Sequence, residues 1–280
     1  MVLPAFTPAQ ESLFLTLSGR ALDSRLPHPF LGDRMADEIL RKTGYDPLAR
    51  FPTMRSRLVD PRTKVFDIAV RAKRLDAVVR AFVGRHPNAV VVDMGAGLDG
   101  RVFRVDPPPT VDWYDIDLPE VIALRERVVP RHAHAHAIAA DVTDERWLDG
   151  IPAERPAVIV ADGLVAFLPQ DGFVSLLGRL TSHFPSGELA FNAYTTVAVW
   201  ATRHLGSFAT IGGGVVNPGF NDPHEPERRV PALTLAEEIF LTRAPELAAM
   251  PLAGRLAARM IAGSAWMSRM SGTTVLRYRF

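Results

Sequence analysis

The chain of 280 residues contains no cysteine. That absence excludes disulfides, thiolate catalysis, iron–sulfur clusters and every zinc site that needs sulfur, and it gives no support to a secreted disulfide scaffold. Charge of one sign is also missing, since 32 basic residues face 31 acidic ones. No overall field exists to hold a phosphate backbone or an anionic membrane, so neither a nucleic acid nor a membrane is expected as partner, although local patches can hide in a neutral total. Long apolar runs are lacking too. The two most apolar stretches, 157–168 and 189–202, are interrupted by Asp162 and by Asn192 and Tyr194, and neither reaches the roughly 18–20 apolar residues of a membrane helix. The opening MVLPAFTPAQESLF has no basic region or apolar run of a signal peptide, so the expected setting is soluble and cytoplasmic. A hydrophobic fraction of 48% suffices for a substantial core, and the length suits one large α/β unit with a helical appendage.

No repeat or low-complexity tract is visible. The first 85 or so residues lack a clear strand and read as helices joined by proline-rich segments, LPHPF and YDPLARFP. Within Phe66 to Val83, the residues Ile68, Ala72, Leu75, Val78, Val79 and Phe82 fall on one stripe at about 100° per residue, which predicts an amphipathic helix. AVVVDMGAG then reads as a buried strand breaking into a tight loop, VDWYDIDLP as a second strand stopped by Pro119, HAHAIAADV as a third, AVIVAD as a fourth and GELAFNAY as a fifth after a helix from Gln170 to Phe184. Strands alternating with helices at this spacing predict βαβ units and a mostly parallel, doubly wound sheet. Residues 211–231 hold four glycines and four prolines and read as a loop rather than a packed element. After them come LTLAEEIFL, a helical stretch from about Ala244 to Ala262, and a terminal TTVLRYRF of strand composition. The expected organisation is a helical N-terminal cover over 1–85 and a core over 86–280, with a lid-like insertion near 195–231.

The first strand leads into Gly95-Ala96-Gly97-Leu98-Asp99-Gly100. Glycines let the backbone turn sharply and approach a ligand, and Asp117, twenty residues beyond Gly97, ends the second strand where a carboxylate can accept from a ribose diol. A plain turn with Asp117 as a helix cap is the simpler alternative, and Asp115 competes for the ribose role because alternation sends both carboxylates to one face. Four consecutive strands finish in or near an acid, Asp93, Asp117, Asp141 and Asp162, and in a doubly wound sheet those ends converge on one crevice. Arg71 lies on the apolar stripe of its helix, whereas Lys73 and Arg80 lie opposite. A guanidinium held toward a core must find an anion, a protein carboxylate or a ligand. His132, His134 and His136 alternate along an edge and lack a further ligand, so no metal site is expected.

VVVDMGAGLDGRVFRV, then DWYDIDLPEVI, AADVTDERWL and ADGLVAFLP, together with the early TLSGRALDSRLPHPFLGD and the closing VLRYRF, resemble the leucine carboxyl methyltransferase family and its bacterial polyketide-type O-methyltransferases. The resemblance implies a Rossmann-like S-adenosylmethionine-dependent fold with helices on both sheet faces. It implies that Arg71 holds the methionine carboxylate, that Gly95, Ala96 and Gly97 pass beneath the cofactor, and that Asp117 and Leu118 meet its ribose. Asp141 and Val142 correspond to the pair beside the adenine, and Asp162 lies near the methionine amino group. The chain departs from the family at three points: Asp162 replaces a glutamate one methylene longer, Phe167 a tyrosine, and Gly100 a threonine. The implied function is O-methylation of a small-molecule carboxylate or hydroxyl. A base for a hydroxyl acceptor is not nominated; His183, His204, His224 and Tyr194 qualify only by type. A nicotinamide-dependent dehydrogenase also fits the glycine pattern, but the lysines are only Lys42, Lys64 and Lys73, all before the loop, which disfavours the short-chain form. A non-catalytic cofactor-binding protein is the remaining alternative, and oligomeric state is not readable.

Overall fold

Valine and isoleucine are stiff at χ1 and pack well on a pleated surface, and the runs AVVVDM and AVIVAD form the two central strands. The computed structural model describes residues 7–46, 59–204, 214–270 and 273–280. In it β1 spans Val90–Met94 and β4 spans Ala157–Ala161, every residue buried. β2 (Asp112–Asp117) and β3 (Ala135–Ala139) extend the sheet beyond β1, and β5 (Gly187–Ala193) extends it beyond β4. These five pair in parallel. β7 (Thr274–Arg279) runs antiparallel between β5 and β6 (Thr234–Phe240), so the order is β3-β2-β1-β4-β5-β7-β6. The expected mostly parallel α/β sheet is therefore present. Strand order reverses between β1 and β4, and the crevice beyond their carboxyl ends is the switch point at which such sheets bind ligands.

Helices cover both faces. α3 (Pro61–Arg85) begins at Asp60, whose side chain accepts from the Arg62 N–H, and has proline in its first turn. Its stripe of Leu75, Val79 and Phe82 packs with Val91, Val158 and Val160 of the sheet. On the other face α6 (Gln170–His183) sets Phe173, Leu176, Leu177 and Leu180 against Val92, Ile159, Leu189 and Phe191. α4 (Arg101–Val105) and α5 (Pro119–Val128) complete the first half of the sheet. Of the N-terminal helices, α1 (Pro8–Ser24) and α2 (Arg34–Thr43) share a core of Phe14, Leu17, Ile39 and Leu40 with Leu124 and Val128 of α5. α1 also lies close on α3: a Cβ at Gly19 would stand 2.5 Å from Ile68 Cδ1, so only glycine permits this approach. Among the described residues, no helix is long and apolar enough to cross a membrane.

Two expectations need correction. The segment expected as an unpacked loop is packed from residue 214 onward; 205–213 lie outside the described residues, as does the 47–58 part of the YDPLARFP joint. Phe220 is buried against the rings of Phe173 and Phe191, its N–H donates to the Tyr194 carbonyl at 2.8 Å, and Asn217, 1% exposed, donates to the Leu168 carbonyl. Gly219 (φ +87°) makes this course possible, since a Cβ there would stand 2.6 Å from the Tyr194 carbonyl oxygen. A short α8 (Glu225–Arg229) comes next. Glycine and proline here prescribe turns; they do not prevent burial. The helical stretch expected from Ala244 begins instead at Leu252, as α9 (Leu252–Ala262), because Pro251 biases the residue before it away from helical backbone. Between β6 and α9 the chain makes two 3-10 turns, Leu241–Arg243 and Pro245–Ala249. α7 (Thr196–His204) succeeds β5, and α10 (Ala265–Met270) precedes β7.

Candidate active site

β1 runs out into Gly95 (φ +65°) and Gly97 (φ +50°), two left-handed positions that cost a residue with a Cβ roughly 1–2 kcal/mol. The turn is strapped to the neighbouring strand. Gly95 and Ala96 N–H groups donate to the Ile116 carbonyl at 2.8 and 3.2 Å, and the Gly97 N–H donates to Asp117 Oδ2 at 2.7 Å. Asp117 Oδ1 accepts from the Leu118 N–H at 2.8 Å. Burial pushes the Asp117 carboxyl up, against the pull of those two N–H groups and of Arg125. Arg125 holds the loop from behind, donating to the Gly97 and Asp99 carbonyls and, at 2.6 Å, to Asp115 Oδ2. Asp115 also accepts from the Trp113 indole, so it serves the scaffold and stands outside the cavity that Asp117 lines. The third glycine has a different function. Gly100 has ordinary backbone angles, and a Cβ there would lie 2.6 Å from Met35 Sδ, so the glycine makes room for the methionine above it.

Beyond the strand ends lies a cavity of about 580 Å³, within the usual range for small-ligand pockets. All nine residues singled out for a cofactor line it: Arg71, Gly95, Ala96, Gly97, Asp117, Leu118, Asp141, Val142 and Asp162. Asp93 lines it as well, so the four strand-end acids do meet. Asp141 Oδ1 accepts from the Thr143 N–H and hydroxyl, while Oδ2 has no partner among the described residues. Phe167, Leu168, Val199 and Val215 supply apolar wall.

Arg71 is 3% exposed and paired. Its Nε donates to Asp162 Oδ1 at 2.6 Å, and its Nη1 reaches Tyr194 Oη at 3.2 Å and Asp67 Oδ2 at 3.4 Å. Nη2 has no hydrogen-bond partner among the described residues and lies beside Gly163, 3.9 Å from where a Cβ there would stand. Asp162 Oδ2 accepts in turn from Arg101. That contact opens onto a buried ionic network that sequence reasoning missed. Arg101, 1% exposed, binds both oxygens of Asp93 at 2.8 Å and also pairs with Asp76 and Asp99. Arg104 joins Asp76, Asp99 and Asp33, and Arg20 pairs with Asp33 and Asp99. The carboxylates of Asp33, Asp76, Asp93, Asp99 and Asp162 thus meet the guanidiniums of Arg20, Arg71, Arg101 and Arg104 beneath the glycine loop. Arg125 could have been found in the sequence, because it shares an apolar stripe with Val121 and Val128 as Arg71 does with Ile68 and Leu75.

This cluster retains a proton most easily at Asp93. Burial, then the Asp115 and Asp99 carboxylates, push that carboxyl up to about 7 against the attraction of Arg101. The native state therefore binds this proton more tightly than the unfolded chain, whose aspartates titrate near pH 4. The contribution to stability is full below that value and is lost as pH rises through about 7. The parent is expected to lose stability between pH 5 and about 8, and Asp93→Asn to flatten that fall, measured by urea unfolding across that range.

Of the four side chains His183, His204, His224 and Tyr194, Tyr194 alone lines the cavity among the described residues. His183 Nε2 bonds the Ile151 carbonyl, His204 bonds the Trp200 carbonyl on an exposed helix, and exposed His224 pairs with Glu227. His136 stacks on Tyr114, His132 meets Phe103 edge to face, and no metal-holding cluster occurs among the described residues.

Comparison with known proteins agrees with this geometry. Residues 14–181 match the leucine carboxyl methyltransferase family. The tetracenomycin polyketide synthesis O-methyltransferase TcmP of Streptomyces glaucescens is 39% identical over 244 residues, 86% of each chain. The S-adenosyl-L-methionine-dependent methyltransferase dpfgK of Gibberella zeae is 30% identical over 251 residues, covering 84% of this chain and 83% of its own. Among solved structures, a putative methyltransferase from Thermobifida fusca aligns with a TM-score of 0.53 at 18% identity, covering 93% of both chains, a likeness of fold.

Proposed function

The chain belongs to the leucine carboxyl methyltransferase family and is an S-adenosylmethionine-dependent methyltransferase, and we propose that its acceptor is a carboxylate on a small, apolar, polyketide-like or aromatic molecule. Neither the family nor the site supports hydride transfer.

The donor set suits the cofactor. Its zwitterionic end would meet a guanidinium and a carboxylate side by side: Arg71 would offer Nη2 to the carboxylate group, and Asp162, bonded to Arg71 and Arg101, would accept from the ammonium. Each Asp117 oxygen carries one backbone N–H and keeps a lone pair for a ribose hydroxyl. Asp141 Oδ2 would accept from the adenine amino group and the Val142 amide would serve a ring nitrogen, Leu118 would pack beside the sugar, and Gly95, Ala96 and Gly97 would allow the backbone to pass underneath. The cofactor supplies an electrophilic methyl on a sulfonium. The chain aligns an acceptor oxygen opposite the departing sulfur and excludes water. Of the described residues, those within 1–85 serve as cover and those within 86–280 as core, with 195–204 and 214–231 as lid. α3 belongs to both, since Lys64, Asp67, Ile68 and Arg71 line the cavity while its later turns lie on the sheet.

The observation that carries the choice of a carboxylate is the want of a histidine base. No histidine lines the cavity among the described residues. Residues 1–6, 47–58, 205–213 and 271–272 contain no histidine, aspartate, glutamate, lysine or tyrosine. Tyr194 is held protonated by burial, and Asp93, whose carboxyl burial pushes up to about 7, has both oxygens engaged by Arg101. A carboxylate is already anionic and needs no base. The polyketide O-methylation for which TcmP is named supports the polyketide-like class. Given methyl-labelled S-adenosylmethionine and aromatic acids that carry both a carboxyl and a phenol, the protein is expected to form a methyl ester, from which mild alkali releases the label. Label stable to alkali would mark an ether and overturn the reading.

A further inference from the structure

α9 is turned inside out. Its one buried residue is Ala258, and on the opposite side Leu252, Leu256 and Met260 form a ridge exposed by 61%, 49% and 77%. Positions i, i+4 and i+8 at about 100° per residue keep the three on one outward face. Trp266 and Met267 of the adjoining α10 are exposed as well, by 67% and 41%. An eleven-residue helix is marginal alone in water and owes its stability to an apolar face that packs. Here that face points to solvent.

The charges beside the ridge decide what covers it. From Leu247 to Phe280 the chain carries five arginines and no acid. Arg269, Arg277 and Arg279 pair with Glu238, Glu237 and Glu188. Arg255 and Arg259, which flank the ridge on one side, are exposed and have no partner among the described residues. A second copy docking through the same face by two-fold symmetry would set these guanidiniums near one another with no carboxylate on α9 or α10 between them. Residues 1–6, 47–58, 205–213 and 271–272 cannot neutralise them either, because none of those segments contains an acid.

We propose that the α9–α10 corner binds the surface of an anionic lipid bilayer, with Leu252, Leu256, Met260, Trp266 and Met267 entering the headgroup layer and Arg255 and Arg259 meeting lipid phosphates. An exposed apolar ridge with arginine on its flank, an exposed tryptophan on the adjoining helix and no acid on either is the composition of an interfacial segment. The near-neutral total charge conceals this patch, and the expectation of no membrane partner rests on that total. Binding of this kind is independent of the acceptor's identity.

The full chain is mixed with vesicles of phosphatidylcholine containing phosphatidylglycerol and with vesicles of phosphatidylcholine alone, then sedimented. Binding is expected with the anionic vesicles only, with a blue shift of tryptophan emission and release by added salt. Leu256→Glu with Met260→Glu should abolish it. Arg255→Glu with Arg259→Glu should weaken it at least about 30-fold, from about 1 kcal/mol for each basic residue lost near the surface. Trp266→Ser, outside α9, should weaken it independently. All five side chains are exposed, so affinity for S-adenosylhomocysteine should not change in any variant. No sedimentation with anionic vesicles, or binding indifferent to the ridge substitutions, would overturn the proposal. So would a concentration-dependent dimer that Leu256→Glu with Met260→Glu dissociates, since the surface would then belong to a second copy.

Discussion

Arg71→Ala is expected to raise the dissociation constant for S-adenosylhomocysteine by roughly 30- to 1000-fold, the equivalent of about 2–4 kcal/mol for removing one partner of a buried, hydrogen-bonded charge pair. The fold should survive, because Asp162, which loses the 2.6 Å bond from Arg71, keeps its contact with Arg101. Arg71→Lys should recover only part of the affinity. An ammonium cannot occupy the Nε contact to Asp162 and the free Nη2 direction together, whereas the planar guanidinium does both. Calorimetric titration of the three proteins checks the series. An unchanged constant in Arg71→Ala would show that the cofactor carboxylate is held elsewhere.

The largest effect on stability is expected at Arg101. Arg101→Leu leaves Asp76 and Asp99 with Arg104, and Asp162 with Arg71, but takes from Asp93 the guanidinium that binds both its oxygens. Breaking a buried pair on one side typically costs about 3–5 kcal/mol, because the group left behind must stay charged without its counterion or take up a proton. For a chain of this size that is a fall in Tm on the order of 10 °C. Arg101→Leu combined with Asp93→Asn removes the orphaned carboxylate and should regain much of the loss. Thermal unfolding of the single and double variants separates this from a packing defect. If the double variant is no more stable than Arg101→Leu, the Asp93–Arg101 pair is not the source of the loss.

The parts legible in the sequence are those written locally. A β-branched run ending in glycine, an acid at a strand end and an arginine on an apolar stripe each declare themselves within a few residues, and β1, β4, Asp117 and Arg71 are legible in that way. Arg125 carries the same signal as Arg71. The network beneath the loop is out of reach, because Arg101 takes partners from Asp76, Asp93, Asp99 and Asp162, and periodicity says nothing about pairing across such separations. Burial of Phe220 and Asn217 is hidden by the surrounding glycine and proline, which report turns and not exposure. The outward face of α9 is hidden for the opposite reason: a stripe of leucine and methionine shows that a helix has an apolar side, not whether the fold covers it.

Arg71 and Asp162 form the proposed seat of the cofactor's amino-acid end, and one pair of titrations addresses it directly. S-adenosylhomocysteine and 5′-methylthioadenosine share the nucleoside, but only the first carries the carboxylate and ammonium. The parent protein is expected to bind S-adenosylhomocysteine far more tightly, and Arg71→Ala to lose most of that preference while binding 5′-methylthioadenosine as before. A preference that persists undiminished in Arg71→Ala would contradict the assignment.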